Sequence, residues 1–229
     1  MYRLITANRN YSSWSLRPWV LMKTLGIAFE EEVVTFAGLN NYDEFRAFAP
    51  NGMVPVLVDG DRTVWDSLGI ALYLADRHPG VWPSDPAAKA WGQCVACEMH
   101  SGFAALRNDC TMNVGVRVRR KPDSDALKRD MSRIGEIFEE GLQNFGGPFL
   151  AGPEFTAADA FYAPVAYRVR TYSIDLSERG QAWVERLLAL PAMKDWEAQA
   201  LAETYREAGH EAELAQAGSI IEDRRAVPA

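Results

Sequence analysis

The chain has 229 residues, 48% hydrophobic and 24% charged, which fits an ordinary globular protein of one large or two modest domains. Its 31 acidic and 24 basic side chains give a formal charge of −7, which argues against a nucleic-acid partner. No run approaches the roughly 18 uncharged apolar residues of a membrane span, so no membrane association is expected.

The start, MYRLITANRNYSS, has no long apolar core and no small-residue cleavage site, so it does not read as a secretory leader. Three cysteines, Cys94, Cys97 and Cys110, are then expected as reduced thiols in a cytoplasmic protein. YRLITA (2–7) reads as a short strand and SLRPWVLMKTLG (15–26) as a helix, with Pro18 in its first turn and Gly26 as its stop. AFEEEVVTF (28–36) reads as a second strand, and strand–helix–strand in this order implies a parallel pair. VPVLVDGDRTVWD (54–66) reads as a hairpin about Asp59–Gly60–Asp61, followed by a helix over 67–78. HPGVWPSDPAAKA (78–90), with three prolines, reads as a linker.

Beyond it helical periodicity recurs, over 87–112, 124–145, 157–172, 179–190 and 192–207, so the second part is expected to be all-α. VRVRRK (116–121) is expected as a solvated loop. The tail AGSIIEDRRAVPA is expected to fray or to lie along the surface. No internal repeat is present.

Four stretches carry possible chemistry. Tyr11, Ser12, Ser13 and Ser15 stand between a strand and a helix, where free N–H groups and the helix dipole favour an anion. One serine is enough to cap the helix, and the others are free to face a ligand. In GMVPVLVDG (52–60), Pro55 suits a turn entering a strand, as an edge proline in either the trans or the cis form. Asp66–Ser67 precede a helix as cap, and also offer a hydroxyl to a carboxylate and an acid to an amine. In FTAADAFYAP (155–164), Thr156 and Asp159 have capping-box spacing with Phe155 as staple, which reads as a folding element.

Taken together, these features resemble the thioredoxin-type domain of the glutathione transferases followed by their all-helical domain. SSWSLRPWVLMKTLGIAFE is similar to the SSCSxRVRxALxxKGI run of the serine-type zeta class, which includes maleylacetoacetate isomerase. The resemblance implies a thioredoxin-like α/β domain over 1–79 that binds glutathione, a linker over 80–86, and an all-α bundle over 87–229 that forms the electrophile site. It implies glutathione as co-substrate, no metal, and a homodimer engaged in detoxification. Ser12 matches the serine whose hydroxyl activates the glutathione thiol, and Ser13 joins it in the catalytic pair. Trp14 stands where zeta enzymes keep a cysteine, which weakens the isomerase match. Val54 would pair its backbone with the cysteinyl part, Pro55 would be the cis-proline, and Asp66 and Ser67 would hold the γ-glutamyl end. Asn40 or Asn41 would meet the glycyl end, Asn41 being the one placed in the binding set. Conjugation to a small electrophile is the expected reaction. The alternatives are a zeta-type cis–trans isomerisation or a non-catalytic ligand-binding protein.

Such a site need only stabilise a thiolate. Lowering a thiol pKa by about two units takes roughly 2.7 kcal/mol. The helix dipole contributes about 0.3–1 kcal/mol and a hydrogen bond to an anion about 1.5–3 kcal/mol, so the two together suffice. Serine acts there as donor, not as base. The electrophile pocket is expected between the parts, along 99–113, with Trp14, Arg107 and Met112 as substrate contacts and His100 and Asn113 also facing the cleft. CVAC (94–97) reads as buried helical thiols rather than as zinc ligands. No phosphate loop, zinc-protease or hydrolase motif occurs.

Overall fold

The computed structural model describes residues 1–38 and 40–228. Strand β1 (Tyr2–Ala7) leads into helix α1 (Ser13–Thr24) and then β2 (Phe29–Val34); a short α2 (Tyr42–Phe45) precedes β3 (Val56–Asp59), β4 (Arg62–Trp65) and α3 (Ser67–Ala75). The sheet order is β2-β1-β3-β4. β2 is parallel to β1, with Tyr2 opposite Phe29, because α1 carries the chain back across the sheet before it re-enters. β3 runs antiparallel to β1, with Leu4 opposite Leu57, and β4 returns from β3 through Gly60, whose φ of +62° suits the tight turn. This is a thioredoxin-like mixed sheet. β2 is an edge strand whose Glu30, Glu31 and Glu32 discourage further pairing.

Helix α1 starts two residues before the sequence suggests, because Ser12 is its N-cap. Pro18 therefore lies inside the helix, where it has no N–H for the Trp14 carbonyl. Gly26, at φ +68°, ends the helix as expected.

The second part contains α4 (Pro86–Ser101), α5 (Ala104–Asp109), β5 (Val116–Arg120), α6 (Asp125–Asn144), α7 (Ala157–Tyr172), α8 (Glu178–Ala189), α9 (Pro191–Ala202), α10 (Ala208–Ala217) and β6 (Gly218–Asp223). The single helix expected over 87–112 is broken at Gly102–Phe103, where Phe103 takes a left-handed φ of +58°. Helix α7 is the axis of this part, and all of its residues except Arg170 are buried. Its capping box forms as expected, with Thr156 bonded to N3 and Asp159 returning to the Thr156 N–H at 3.1 Å. Asp159 also accepts the Leu150 N–H and the Trp183 indole N–H, both at 2.9 Å, and so ties α8 to the start of α7. Fully buried Trp19, Trp183 and Trp196 anchor a core that runs unbroken from the sheet into the helices. At about 25 cal/mol per Å², each indole contributes up to roughly 4–6 kcal/mol of transfer free energy.

One expectation is corrected and one is decided. VRVRRK is no solvated loop, and of the two fates expected for the tail it takes the second, lying along the surface: Val116–Arg120 and Gly218–Asp223 pair antiparallel as a two-stranded ribbon whose tail strand is largely exposed. The ribbon places Val116 and Val118 in the core, and Arg225, just beyond it, is buried between Glu211 and Asp223. Short strands with alternating Arg and Val give little periodic signal, and the pairing spans about 100 residues of chain. The helical class of this part stands, with the ribbon added to it. No helix among the described residues is long and apolar enough to cross a membrane.

Candidate active site

The turn from β1 into α1 divides its three serine hydroxyls among different tasks. The Ser12 hydroxyl accepts the Ser15 N–H at 3.4 Å and donates to the Ser15 hydroxyl at 2.7 Å. Ser15 is fully buried and accepts the Ala7 N–H at 3.1 Å, so it fastens the helix start to the end of β1. The Ser13 hydroxyl forms no hydrogen bond among the described residues. Tyr11 donates its hydroxyl to Glu211 at 2.8 Å, and burial together with Glu211 pushes its pKa up, so it remains a phenol.

This turn forms one wall of a cavity of about 440 Å³ between the two parts of the chain. From the sequence-derived set, Ser12, Ser13, Trp14, Asn41, Val54, Arg107 and Met112 line it. Val54 stands just before β3, and its peptide bond to Pro55 is cis. The turn that presents Val54 needs Gly52, at φ +66°, because a Cβ there would lie 2.5 Å from the Tyr42 ring. The Asn41 amide is committed to its own loop: it accepts the Ala37 N–H at 2.7 Å and donates to the Gly38 carbonyl. Asn40 also lines the cavity; its oxygen accepts the Tyr42 N–H at 3.1 Å and its NH₂ group makes no bond among the described residues.

Pro55, Asp66 and Ser67 lie outside that wall. Asp66 caps α3 through the Leu68 N–H at 2.8 Å, and it does so at φ +68°, a conformation rarely adopted by a non-glycine residue. Its second oxygen lies 3.5 Å from His100 Nε2. Ser67 is buried and accepts a long hydrogen bond, 3.5 Å, from Arg17. His100 and Asn113, expected to face the cleft, do not line the cavity. His100 packs edge-on against Trp14 at 5.3 Å, and burial lowers its pKa despite Asp66. Asn113 points toward Glu211.

The wall of the cavity around Trp14 and α5 is rich in positive charge. Trp14 has the guanidinium of Arg17 4.2 Å from its ring centroid and that of Arg107 at 4.8 Å. Arg107 and the buried Arg168 line the cavity, and Glu213 is the only carboxylate lining it among the described residues. Arg17, Arg107 and Arg168 form no ion pair among the described residues; their bonds go to carbonyls of Met99, Gly102, Cys110 and Pro164, to the Met99 sulfur and to Ser67. Burial lowers the pKa of all three, and mutual repulsion adds to this for Arg17 and Arg168. Arg17 Nε is buried without a hydrogen-bond partner among the described residues.

Cys94 and Cys97 are exposed on α4, not buried as expected, and only Cys110 is inside. Burial pushes its thiol up to about 11, so it is a packing residue. Among the described residues no three metal-ligating side chains cluster.

The family model of the glutathione S-transferase N-terminal domain matches residues 11–77, and that of the C-terminal domain matches 122–199. The chain belongs to the glutathione S-transferase superfamily. A glutathione S-transferase of the zeta class from Euphorbia esula is 29% identical over 172 residues, 73% of this chain and 76% of the relative. The maleylacetoacetate isomerase of Rattus norvegicus is 26% identical over 174 residues, 74% and 78% of the two chains. Among solved structures, a theta-class glutathione S-transferase from Xanthomonas axonopodis pv. citri with glutathione bound superposes with a TM-score of 0.63 at 27% identity, covering 88% and 98% of the two chains.

In this transferase the site also depends on residues that sequence reasoning missed, most of them after the second match ends. Glu203 holds the turn before α1, Tyr205 donates its hydroxyl to the Phe36 carbonyl at 2.9 Å, and α10 adds His210 and Glu213 to the cavity wall. For His210 and Glu213 the advance signal is the acid and histidine spacing of EAGHEAE, which says nothing about where that segment docks, and Glu203 and Tyr205 have none.

Proposed function

We propose that the chain is a glutathione transferase that receives the glutathione thiolate at the N-terminus of α1 and transfers it to a small electrophile carrying an anionic group. The observation that carries this reading is the pair of hydroxyls, Ser12 and Ser13, at a helix start that opens into the cavity. Tyr11 is bound to Glu211 and Ser15 to the backbone, so Ser12 and Ser13 are the donors to the sulfur. When Ser15 returns its own proton to Ser12, the Ser12 hydroxyl turns outward at no loss of hydrogen bonds. The helix start and one or two hydroxyls together supply the roughly 2.7 kcal/mol that a two-unit pKa shift needs.

Solved neighbours with glutathione bound support the tripeptide as the ligand, and the assignments that follow are the reading proposed for it. Residues 1–79 would bind the tripeptide, 80–86 would link, and 87–229 would build the electrophile side. Val54 would offer its peptide group to the cysteinyl part and Asn40, whose NH₂ group makes no bond among the described residues, would meet the glycyl end beside Asn41. The strained Asp66 and the Ser67 N–H would take the γ-glutamyl end, since backbone held in so unfavourable a region is a mark of function. The thiolate attacks the electrophilic carbon, and the leaving group departs with the bonding pair. Arg107 and Arg168 orient the anionic group of the electrophile.

A second reading, glutathione-dependent isomerisation, is favoured by the same arginines, which suit a carboxylated substrate; Trp14 in place of the zeta cysteine speaks against it. The chain would act as a homodimer, with Trp65 and Leu72, large apolar side chains exposed on the first lobe, toward the partner. Calorimetry with glutathione, followed by conjugation of a chlorodinitrobenzene and of a carboxylated analogue, tests the proposal. No heat with glutathione removes it, and turnover of a cis diketo acid without loss of glutathione would establish the isomerase.

A further inference from the structure

The serine hydroxyls can stabilise a thiolate but cannot take the proton from the thiol. We propose that His210, held by Glu207, is the base that removes this proton, an assignment that rests on the glutathione reading above. His210 stands on α10, beyond both regions matched by the family models. Its ring is clamped between Tyr11, stacked at 4.7 Å, and Phe36, at 5.1 Å, and it lines the cavity together with Ser12 and Ser13. Nδ1 lies 2.6 Å from the Glu207 carboxylate, while Nε2 makes no bond among the described residues.

Glu207 is built for this task. It is buried, and it accepts the N–H groups of Gly209 at 2.8 Å and His210 at 2.7 Å as well as the ring. Burial raises its pKa, but the two N–H groups and the imidazole outweigh that and hold it below the ordinary glutamate value. A carboxylate on Nδ1 fixes the tautomer with the proton on that nitrogen, and Nε2 is left as the acceptor.

The step balances within the site. The thiol S–H bond breaks, the proton binds Nε2, and the electron pair stays on sulfur under the serine hydroxyls. The imidazolium is paired with Glu207 and then gives its proton to solvent. The charged groups facing this ring from neighbouring elements are few. Tyr11 is held as a phenol by Glu211, which is itself paired with Arg225; Glu213 lies on the same helix; and Arg107 and Arg168 face it across the cavity.

The decisive variant is His210→Phe, which keeps the aromatic sandwich and removes the nitrogen. Thiolate appearance after mixing with glutathione is followed by stopped-flow absorbance, with proton release read by an indicator dye, across the pH range. Wild type should show a fast phase with a limb that rises with pH. H210F should lose that limb and slow about 100-fold, the low end of general-base contributions. Glu207→Gln, which keeps an oxygen for the N–H cap, should slow the same phase with a shifted profile and unchanged near-ultraviolet circular dichroism. An unchanged rate and profile in either folded variant would overturn the assignment. If wild type shows no thiolate at all, the glutathione reading itself fails. If Ser12→Ala abolishes the thiolate while H210F leaves its rate intact, only the role of His210 falls.

Discussion

The carboxylate of Glu203 accepts the backbone N–H of Arg9 at 2.5 Å and that of Asn10 at 3.1 Å. The same carboxylate takes the Asn10 side-chain NH₂ at 2.9 Å, and the Trp196 indole N–H bonds the Arg9 carbonyl at 3.0 Å. The turn that presents Ser12 and Ser13 is therefore shaped by the helical part, from almost 200 residues away. Glu203→Ala should cost about 2–4 kcal/mol, because buried donors lose their acceptor. Urea denaturation reads the stability, and the KM for glutathione should rise as the turn loosens. A variant as stable as wild type would show that water replaces the carboxylate.

The two serine hydroxyls are separable. Ser12→Ala and Ser13→Ala should each raise the pKa of the bound thiol by about 1–2 units, the equivalent of one hydrogen bond to an anion. Thiolate absorbance during a pH titration measures both. Equal shifts mean that the sulfur is shared between them, whereas no shift in S12A assigns the contact to Ser13.

Arg107→Gln should raise the KM for a carboxylate-bearing electrophile about tenfold or more and change that for a neutral electrophile less than twofold. Two parallel saturation curves decide it. Equal losses for both substrates would mean that Arg107 serves only to hold the Met99 and Gly102 carbonyls.

Burial raises the Asp159 carboxyl to about 6, above its ordinary 3.8, against the N–H donors of Leu150, Trp183 and Thr156. With the folded pKa above the unfolded one, the folded state binds the extra proton between those values. The stability contributed by this group therefore grows as pH falls from about 6 to about 4. The gap between wild type and Asp159→Asn should widen over that interval in thermal melts. A gap that stays flat or narrows would show that the donors keep the carboxylate ionised.

Arg225 closes the tail onto α10, bonding Glu211 at 2.6 Å and Asp223 at 2.7 Å. Arg225→Met should cost about 1–3 kcal/mol, less than a fully buried pair would, because both acids keep contact with water. Limited proteolysis after residue 217 should become faster, and kcat should fall with the displacement of His210. An intact tail with normal turnover would remove this link.

The first eighty residues were largely legible in the amino-acid order, because each element there declares itself locally: alternating strands, the Asp–Gly turn, Gly26 after a helix. Helix α7 was equally plain, since Thr156 and Asp159 signal its start within four residues. The ribbon of β5 and β6 was not, because its strands are short, charged and remote from each other. Nor could hydroxyl spacing say which serine caps, which fastens β1 and which faces the cavity.

What the sequence by itself determined is the transferase architecture and the presence of hydroxyls at a helix start. Periodicity, caps and turns are local physics, written in residues a few positions apart. Only the tertiary structure decided that Arg107 and Arg168 line the cavity, that Cys94 and Cys97 are exposed, and that Glu203, His210 and Arg225 return to the α1 turn. Those outcomes depend on which surfaces exclude water against each other, and contacts across some 200 residues leave no periodic trace in the chain.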